Sequence, residues 1–217
     1  MHKNDFNIIH KNIQQVRPKI NIFLNNIKNF KDRKKTIDET WDFKNANTKE
    51  YTHCFHSYPA MMIPQIARKL IEIFGKNAKI LFDPYCGTGT SLVEANLQGI
   101  NAIGTDINPL ARLIAITKTT KIDINILQSF IDDFSDFIFS LNFKTLSNEL
   151  INLPEIKNIN YWFSKNVQLK LGIILNYINH IENPKISNFF KVAFSETIRD
   201  SSFVKKSEFK LVRTKNI

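Results

Sequence analysis

Two acidic residues each follow a short apolar run, and a glycine turn comes soon after the first. Asp83 follows the run 80–82, and Asp106 comes soon after the run 102–104. Between them, the turn 87–89 has the sequence Gly-Thr-Gly and precedes a segment with helical spacing. The carboxyl ends of parallel strands meet at one edge of a sheet, so we expect both carboxylates and the turn to form one ligand site.

The turn fits neither of two common phosphate-binding patterns. Leu92 stands where G-x-G-x-x-G requires its third glycine, and the chain contains no G-x-x-x-x-G-K-[ST] run. Asp83 is placed to accept a hydrogen bond from an amino group, and Asp106 to bind both hydroxyls of a ribose. This chemistry favours an amino acid joined to a nucleoside without a pyrophosphate, which is S-adenosylmethionine. A structural turn with incidental acids is the alternative.

Hydrophobic periodicity predicts the elements that position this turn. The predicted elements are helices over 6–30 (interrupted by Pro18), 62–74, 90–98 and 109–117, a buried strand over 79–83, a strand over 101–106, and helical stripes within 127–141, 171–181 and 189–198. Strand and helix alternate around the turn, which indicates a right-handed parallel unit. The later stripes indicate helix cores.

The positive charge of the chain is concentrated at its two ends. The net charge is +10; residues 1–35 carry nine basic and two acidic side chains, and residues 199–217 carry six and two. Basic ends beside a near-neutral middle indicate a polyanionic partner such as nucleic acid, with a solvated tail as the alternative. We expect no membrane segment and no signal peptide, hence a cytoplasmic protein. Two cysteines make no disulfide framework.

The turn and its flanks resemble the amino-methylating DNA methyltransferases. Residues 82–95, FDPYCGTGTSLVEA, look like the cofactor motif of that family, and residues 104–111, GTDINPLA, look like its second cofactor motif. The segments 41–43 and 52–65 resemble the cytosine-N4 branch. So do three later segments, 161–163, 194–200 and 209–213. The resemblance covers about residues 41–213.

The resemblance implies a role for each part of the site. Asp83 and the backbone of 85–89 would hold the methionine part of the cofactor, Asp106 the ribose, and Ile107 the adenine. The segment 56–59 would close over the methionine end. The residues expected to bind the cofactor are His56, Tyr58, Pro59, Asp83, Pro84, Tyr85, Cys86, Gly87, Thr88, Gly89, Thr90, Asp106 and Ile107.

One motif of the family is missing. Its catalytic [SDN]-Pro-Pro-[Tyr/Phe] motif grips a flipped base, and no two of the seven prolines here are adjacent. We therefore expect no catalytic residue, and a truncated enzyme or one half of a split restriction-modification enzyme. Such an enzyme would act on duplex DNA together with a complementary polypeptide. Cytosine N4 is the preferred acceptor; the alternatives are an adenine-N6 enzyme, an RNA guanine-N2 methyltransferase fragment and a non-catalytic remnant.

The predicted fold class is α/β, an incomplete Rossmann-like methyltransferase sheet with helical extensions at both ends. The expected parts are a basic helical arm (1–45), a cofactor-binding α/β region (46–121) and a helical extension with a basic C-terminus (122–217). Glu94 and Glu196 are interpreted as helix-surface residues. His53, Cys54 and His56 offer too few ligands for zinc, so no metal site is expected.

Overall fold

The computed structural model of the chain describes residues 37–141, 153–205 and 212–214. The chain divides into two compact units, Met1–Asp42 and Phe43–Ile217. In the first unit, the described part contains a short 3-10 helix, Glu39–Trp41, whose first turn is capped by the Asp38 carboxylate. The helical arm predicted over 6–30 lies outside the described residues. The domain boundaries proposed above stay predictions.

The second unit mixes helices with a small parallel sheet. Its elements are a 3-10 helix (Tyr51–Phe55), α1 (Pro64–Phe74), β1 (Ile80–Asp83), α2 (Thr90–Leu97), β2 (Asn101–Gly104), α3 (Pro109–Thr119), α4 (Ile124–Ser140), α5 (Ile159–Trp162), α6 (Lys165–Asn179) and α7 (Pro184–Ser201). The strands and helices predicted around the turn are confirmed, with ends that move by one or two residues.

Side-chain caps and prolines fix where several helices begin. Asn108 accepts a hydrogen bond from the backbone N–H of Leu110, and Pro109 follows as the first residue of α3. Asn183 and Pro184 do the same at the start of α7. The dipeptide Asn183-Pro184, which lies between the predicted stripes 171–181 and 189–198, is thus the beginning of the second of these helices.

The two strands form the predicted parallel pair. Ile80 is in register with Asn101, and Asp83 with Gly104. The strand β2 ends two residues earlier than predicted, so Asp106 lies in the loop between β2 and α3. Both acids therefore lie at the carboxyl edge of the sheet, which is the edge where α/β proteins bind ligands.

The prediction of a buried first strand is wrong. Leu81 and Ala102 pack against two small clusters of buried residues from α1, α2 and α3 and their loops. The opposite face is open: Ile80, Phe82 and Ile103 are each more than half exposed. Within the described residues, helices thus cover only one face of the sheet, and side-chain burial alternates along both strands.

The helices after residue 122 have a separate apolar core. Ile178, Ile181, Ile186 and Phe190 are buried there, and partly buried aromatic rings from α4 surround them. Phe134 packs edge-on against Phe190 at a ring distance of 5.5 Å. Helical spacing in this region is therefore confirmed as core packing. No helix in the described part of the chain is both long enough and apolar enough to span a bilayer.

Candidate cofactor site

The loop between β1 and α2 is a tight turn whose backbone favours glycine at two positions. Gly87 has a φ of 52° and Gly89 a φ of 81°, both in the left-handed region. A Cβ at Gly89 would lie 2.9 Å from the Cβ of Ala115, so α3 packs directly on this backbone. A Cβ at Gly87 would meet none of the described residues within 4 Å. The Gly87 backbone is therefore open to a ligand, whereas Gly89 serves packing.

Both predicted acids hold this turn in place. The Asp83 carboxylate accepts hydrogen bonds from the Tyr85 N–H, at 3.0 Å, and from the Ser91 hydroxyl. The Asp106 carboxylate accepts from the Gly87 N–H at 3.0 Å and from the Asn108 N–H at 2.8 Å. Asp106 thus connects the loop after β2 to the turn after β1.

The negative charges of Asp83 and Asp106 also act on Cys86, which lies in the turn. Cys86 is buried, and its backbone N–H donates to the Thr105 carbonyl at 3.0 Å. Burial raises the pKa of the Cys86 thiol, and the charges of Asp83 and Asp106 raise it further. The turn is therefore an electronegative pocket, which suits a ligand that carries an ammonium or sulfonium group.

A short strap lies over the turn. Residues 58–62 and most residues of the turn 83–91 together line a cavity of about 230 Å³. Asn108 donates a hydrogen bond to the Tyr58 hydroxyl at 2.8 Å, which ties the strap to the loop after β2. The predicted site residues that line this cavity are Tyr58, Pro59, Asp83, Tyr85, Cys86, Gly87, Thr88 and Thr90.

Five predicted site residues lie outside this lining: His56, Pro84, Gly89, Asp106 and Ile107. Asp106 is joined to the turn by its hydrogen bond to Gly87. Ile107 is 95% exposed at the same edge of the sheet, where a flat aromatic ligand could cover it. His56 instead lines a second cavity of about 400 Å³, together with His53 and Glu196. Met61 and Thr90 line both cavities, so the two adjoin.

The interpretation of Glu94 as a surface residue is wrong. Its side chain is 0% exposed in the middle of α2. It accepts from His53 Nε2 at 3.0 Å and from Arg68 Nε at 2.8 Å, and Arg68 also reaches Glu50 at 3.0 Å. Burial lowers the pKa of His53, although the Glu94 carboxylate opposes this. The network connects the 3-10 helix Tyr51–Phe55 and α1 to α2, directly behind the turn.

Glu196 also has a defined contact that the surface interpretation missed. Its carboxylate accepts from the backbone N–H and the hydroxyl of Ser57. His56 Nε2 lies 2.8 Å from the Ser195 hydroxyl. Burial lowers the pKa of His56, with Glu196 acting in the opposite direction. The helix α7 therefore fixes His56 and Ser57, which lead into the strap. These contacts join residues that are 139 positions apart in the sequence, so no local pattern predicts them.

The residues present fit S-adenosylmethionine. The open backbone at Gly87 allows close approach, and the cavity is electronegative for the reasons given above. Each of the four carboxylate oxygens of Asp83 and Asp106 accepts one hydrogen bond inside the protein. Each oxygen has two lone pairs, so each can accept one more from a ligand amine or hydroxyl.

Comparison with known proteins gives a consistent result. A family model described as DNA methylase matches residues 3–117, just over half of the chain. The Type II methyltransferase M.MvaI of Kocuria varians is 42% identical over 179 residues, covering 79% of this chain and 39% of that protein. The Type II methyltransferase M.MjaII of Methanocaldococcus jannaschii is 34% identical over 131 residues, covering 56% and 25%.

A shorter match reaches a different class of enzyme. The tRNA (guanine(10)-N2)-dimethyltransferase of Methanothermobacter thermautotrophicus is 42% identical over 52 residues, covering 24% of this chain and 16% of that protein. The chain thus spans well under half the length of each of these relatives. No solved structure is significantly similar to it.

Proposed function

We propose that this chain, which belongs to the DNA methylase family, is the cofactor-binding part of a site-specific DNA methyltransferase. Methyltransferases of this family use S-adenosylmethionine. The observation that carries the proposal is the hydrogen bond from the Gly87 N–H to Asp106, which joins the turn after β1 to the loop after β2. We also propose that β1 and β2 belong to a Rossmann-like methyltransferase sheet.

In this proposal the donor's parts are divided among the residues at the sheet edge. Asp83 accepts from the ammonium of the methionine end, and Asp106 accepts from the ribose hydroxyls. Ile107 lies against the adenine, and the strap that begins at Tyr58 covers the methionine end. When bound, S-adenosylmethionine supplies an electrophilic methyl group, and these residues orient it and exclude water.

The proposed reaction is methyl transfer to an exocyclic amine of a DNA base. Cytosine N4 is preferred, because segments 52–65 and 161–163 resemble the cytosine-N4 branch; adenine N6 is the alternative. The amine's lone pair is delocalised into the ring, so an enzyme must accept hydrogen bonds from it and stack on the extruded base. This sequence contains no adjacent prolines. We propose that the base-gripping residues come from a complementary polypeptide.

A guanine-N2 methyltransferase acting on RNA is the second candidate. The 52-residue similarity to a tRNA (guanine(10)-N2)-dimethyltransferase favours it. The longer similarity to M.MvaI favours DNA. Transfer of labelled methyl groups to duplex DNA and to tRNA, with the product base identified by mass spectrometry, separates the candidates. We expect the lone chain to methylate neither; robust turnover by it would refute the need for a partner polypeptide.

Calorimetric titration with S-adenosylmethionine tests the cofactor assignment directly. Asp106→Ala should weaken binding on the order of tenfold or more, because it removes charged acceptors from the ribose. Asp123→Ala is the matched control. Asp123 also accepts two backbone N–H bonds, but at the start of α4 and away from both cavities. Equal affinity of the Asp106→Ala variant and the unaltered chain would refute the ribose assignment.

A further inference from the structure

A buried lysine lies directly behind the cofactor cavity. Lys118 is in the last turn of α3, and only 4% of its surface is exposed. Its ammonium Nζ lies 3.5 Å from the Thr88 hydroxyl and 3.8 Å from the Met61 sulfur. Both of these residues line the cofactor cavity. One thin wall of side chains thus separates the ammonium from that cavity.

The surroundings of Lys118 do not neutralise its charge. Among the residues that the structure describes, no carboxylate lies within 4.0 Å of Nζ. The nearby ionisable groups include His53 and His56, whose pKa values the Lys118 charge helps to lower, and Cys54, which opposes the effect of burial on the Lys118 pKa without overcoming it. The C-terminal end of α3 offers partial compensation through the helix dipole. A buried cation without an anion is costly, and burial lowers the pKa of Lys118 to about 8.

Thr88 offers a path from this cation to a ligand. Its hydroxyl can accept a hydrogen bond from Nζ and donate its own hydrogen onward. The methionine end of S-adenosylmethionine carries a carboxylate beside its ammonium. Asp83 supplies the acceptor for the ammonium, but the described residues that line the cavity include no cationic side chain for the carboxylate.

We propose that Lys118 supplies the positive charge for the carboxylate of the bound cofactor, acting through the Thr88 hydroxyl. This inference rests on the proposed function. Lys118 is then a positioning residue that favours ligands with an amino-acid group. The methionine end would lie between the negative charge of Asp83 and the Thr88 hydroxyl, which is polarised by Lys118. The buried charge, unpaired in the protein alone, gains its partner when the cofactor binds.

The test compares two ligands on the full chain. S-adenosylmethionine carries the carboxylate, and decarboxylated S-adenosylmethionine differs from it only by lacking that group. Lys118→Met keeps the length of the side chain and removes the charge. It should weaken S-adenosylmethionine binding about tenfold or more and leave binding of the decarboxylated ligand within about twofold. Lys121→Met, an exposed change near the same helix end, should alter neither affinity.

Thr88→Val provides a second variant that does not depend on Lys118 itself. It keeps the shape of the side chain and removes the hydroxyl, so it should show the same ligand-selective loss. A loss of equal size for both ligands in both variants would overturn the inference while the cofactor assignment stands. If the unaltered chain bound neither ligand, the proposed function would fail first.

Discussion

Replacing Lys118 with methionine should make the ligand-free chain more stable, although it weakens cofactor binding. The pKa of this buried lysine falls from the ordinary 10.5 to about 8. A tenfold change in a protonation equilibrium corresponds to about 1.4 kcal/mol, so keeping the charge in place costs about 3 kcal/mol. Methionine fills similar volume without a charge. We expect its free energy of unfolding at about pH 7 to rise by about 1–3 kcal/mol.

The pH dependence gives the same prediction an independent check. The pKa of Lys118 is lower in the folded chain than in the unfolded chain, so between about pH 8 and 10.5 the unfolded chain binds more protons. The stability of the unaltered chain should therefore gain a contribution as pH rises through this interval. Lys118→Met should lack that gain, and Lys121→Met should retain it.

Urea unfolding followed by circular dichroism at about pH 7 and 9.5 measures both effects. A Lys118→Met variant less stable than the unaltered chain at pH 7 would refute the reasoning. It would mean that the ammonium makes a net favourable contact within the protein. If Lys118→Met is more stable than the unaltered chain but binds S-adenosylmethionine more weakly, the charge of Lys118 serves ligand binding at a cost in stability.

Three further predictions concern the turn and its support. Gly89→Ala should destabilise the chain by about 2 kcal/mol or more, because the new methyl group would clash with Ala115 and the backbone there is left-handed. Gly87→Ala, which meets only the backbone strain, should cost about 1 kcal/mol. The urea unfolding midpoints of the two variants measure this difference. Glu94→Gln should lower the free energy of unfolding by about 3 kcal/mol, since it removes the buried negative charge opposite Arg68 and leaves one amide oxygen to accept from both His53 and Arg68. His53 has a lowered pKa, so stability should fall as pH drops below about 6.5, and His53→Gln should flatten that fall in acid titrations of unfolding.

Each of these predictions has an outcome that contradicts it. Equal costs for the two glycine variants would mean that α3 does not pack on the turn as described. A Glu94→Gln variant with unchanged stability would remove the case for a buried charge network. A pH profile of the His53→Gln variant that overlays the unaltered chain would show that His53 does not contribute to acid sensitivity.

Local patterns were sufficient for the elements around the site. Apolar runs of three residues and the glycine turn identified β1 and β2, and the periodicity of 109–117 identified α3. These signals are local because the hydrophobic periodicity of a helix or strand, and the residue that caps a helix, lie within or next to that element. The position of Asp83 was predictable for the same reason, since it depends only on where β1 stops. Asp106 was predicted at the correct edge of the sheet, although β2 ends two residues before it.

Contacts between distant segments were not predictable from such patterns. Glu94 is buried because Arg68 and His53, 26 and 41 residues away, are its partners. A glutamate on a short helix resembles a surface residue unless those partners are known. The exposed face of the sheet is a second case. The apolar run 80–82 has the composition of a strand covered on both sides, and within the described residues only one side is covered.

In the proposed site, Asp83 and Asp106 would have two roles that use the same atoms. Every carboxylate oxygen of Asp83 and Asp106 already accepts one hydrogen bond that shapes the turn. Each retains one lone pair, so a ligand can add hydrogen bonds without breaking those that fix the turn. The site is therefore preorganised, and little of the binding energy is spent on ordering it. It also follows that removing either acid alters the turn as well as the ligand contact. Lys118 differs, because in our proposal it is its charge that serves the ligand, and it touches the turn through a long hydrogen bond of 3.5 Å to the Thr88 hydroxyl.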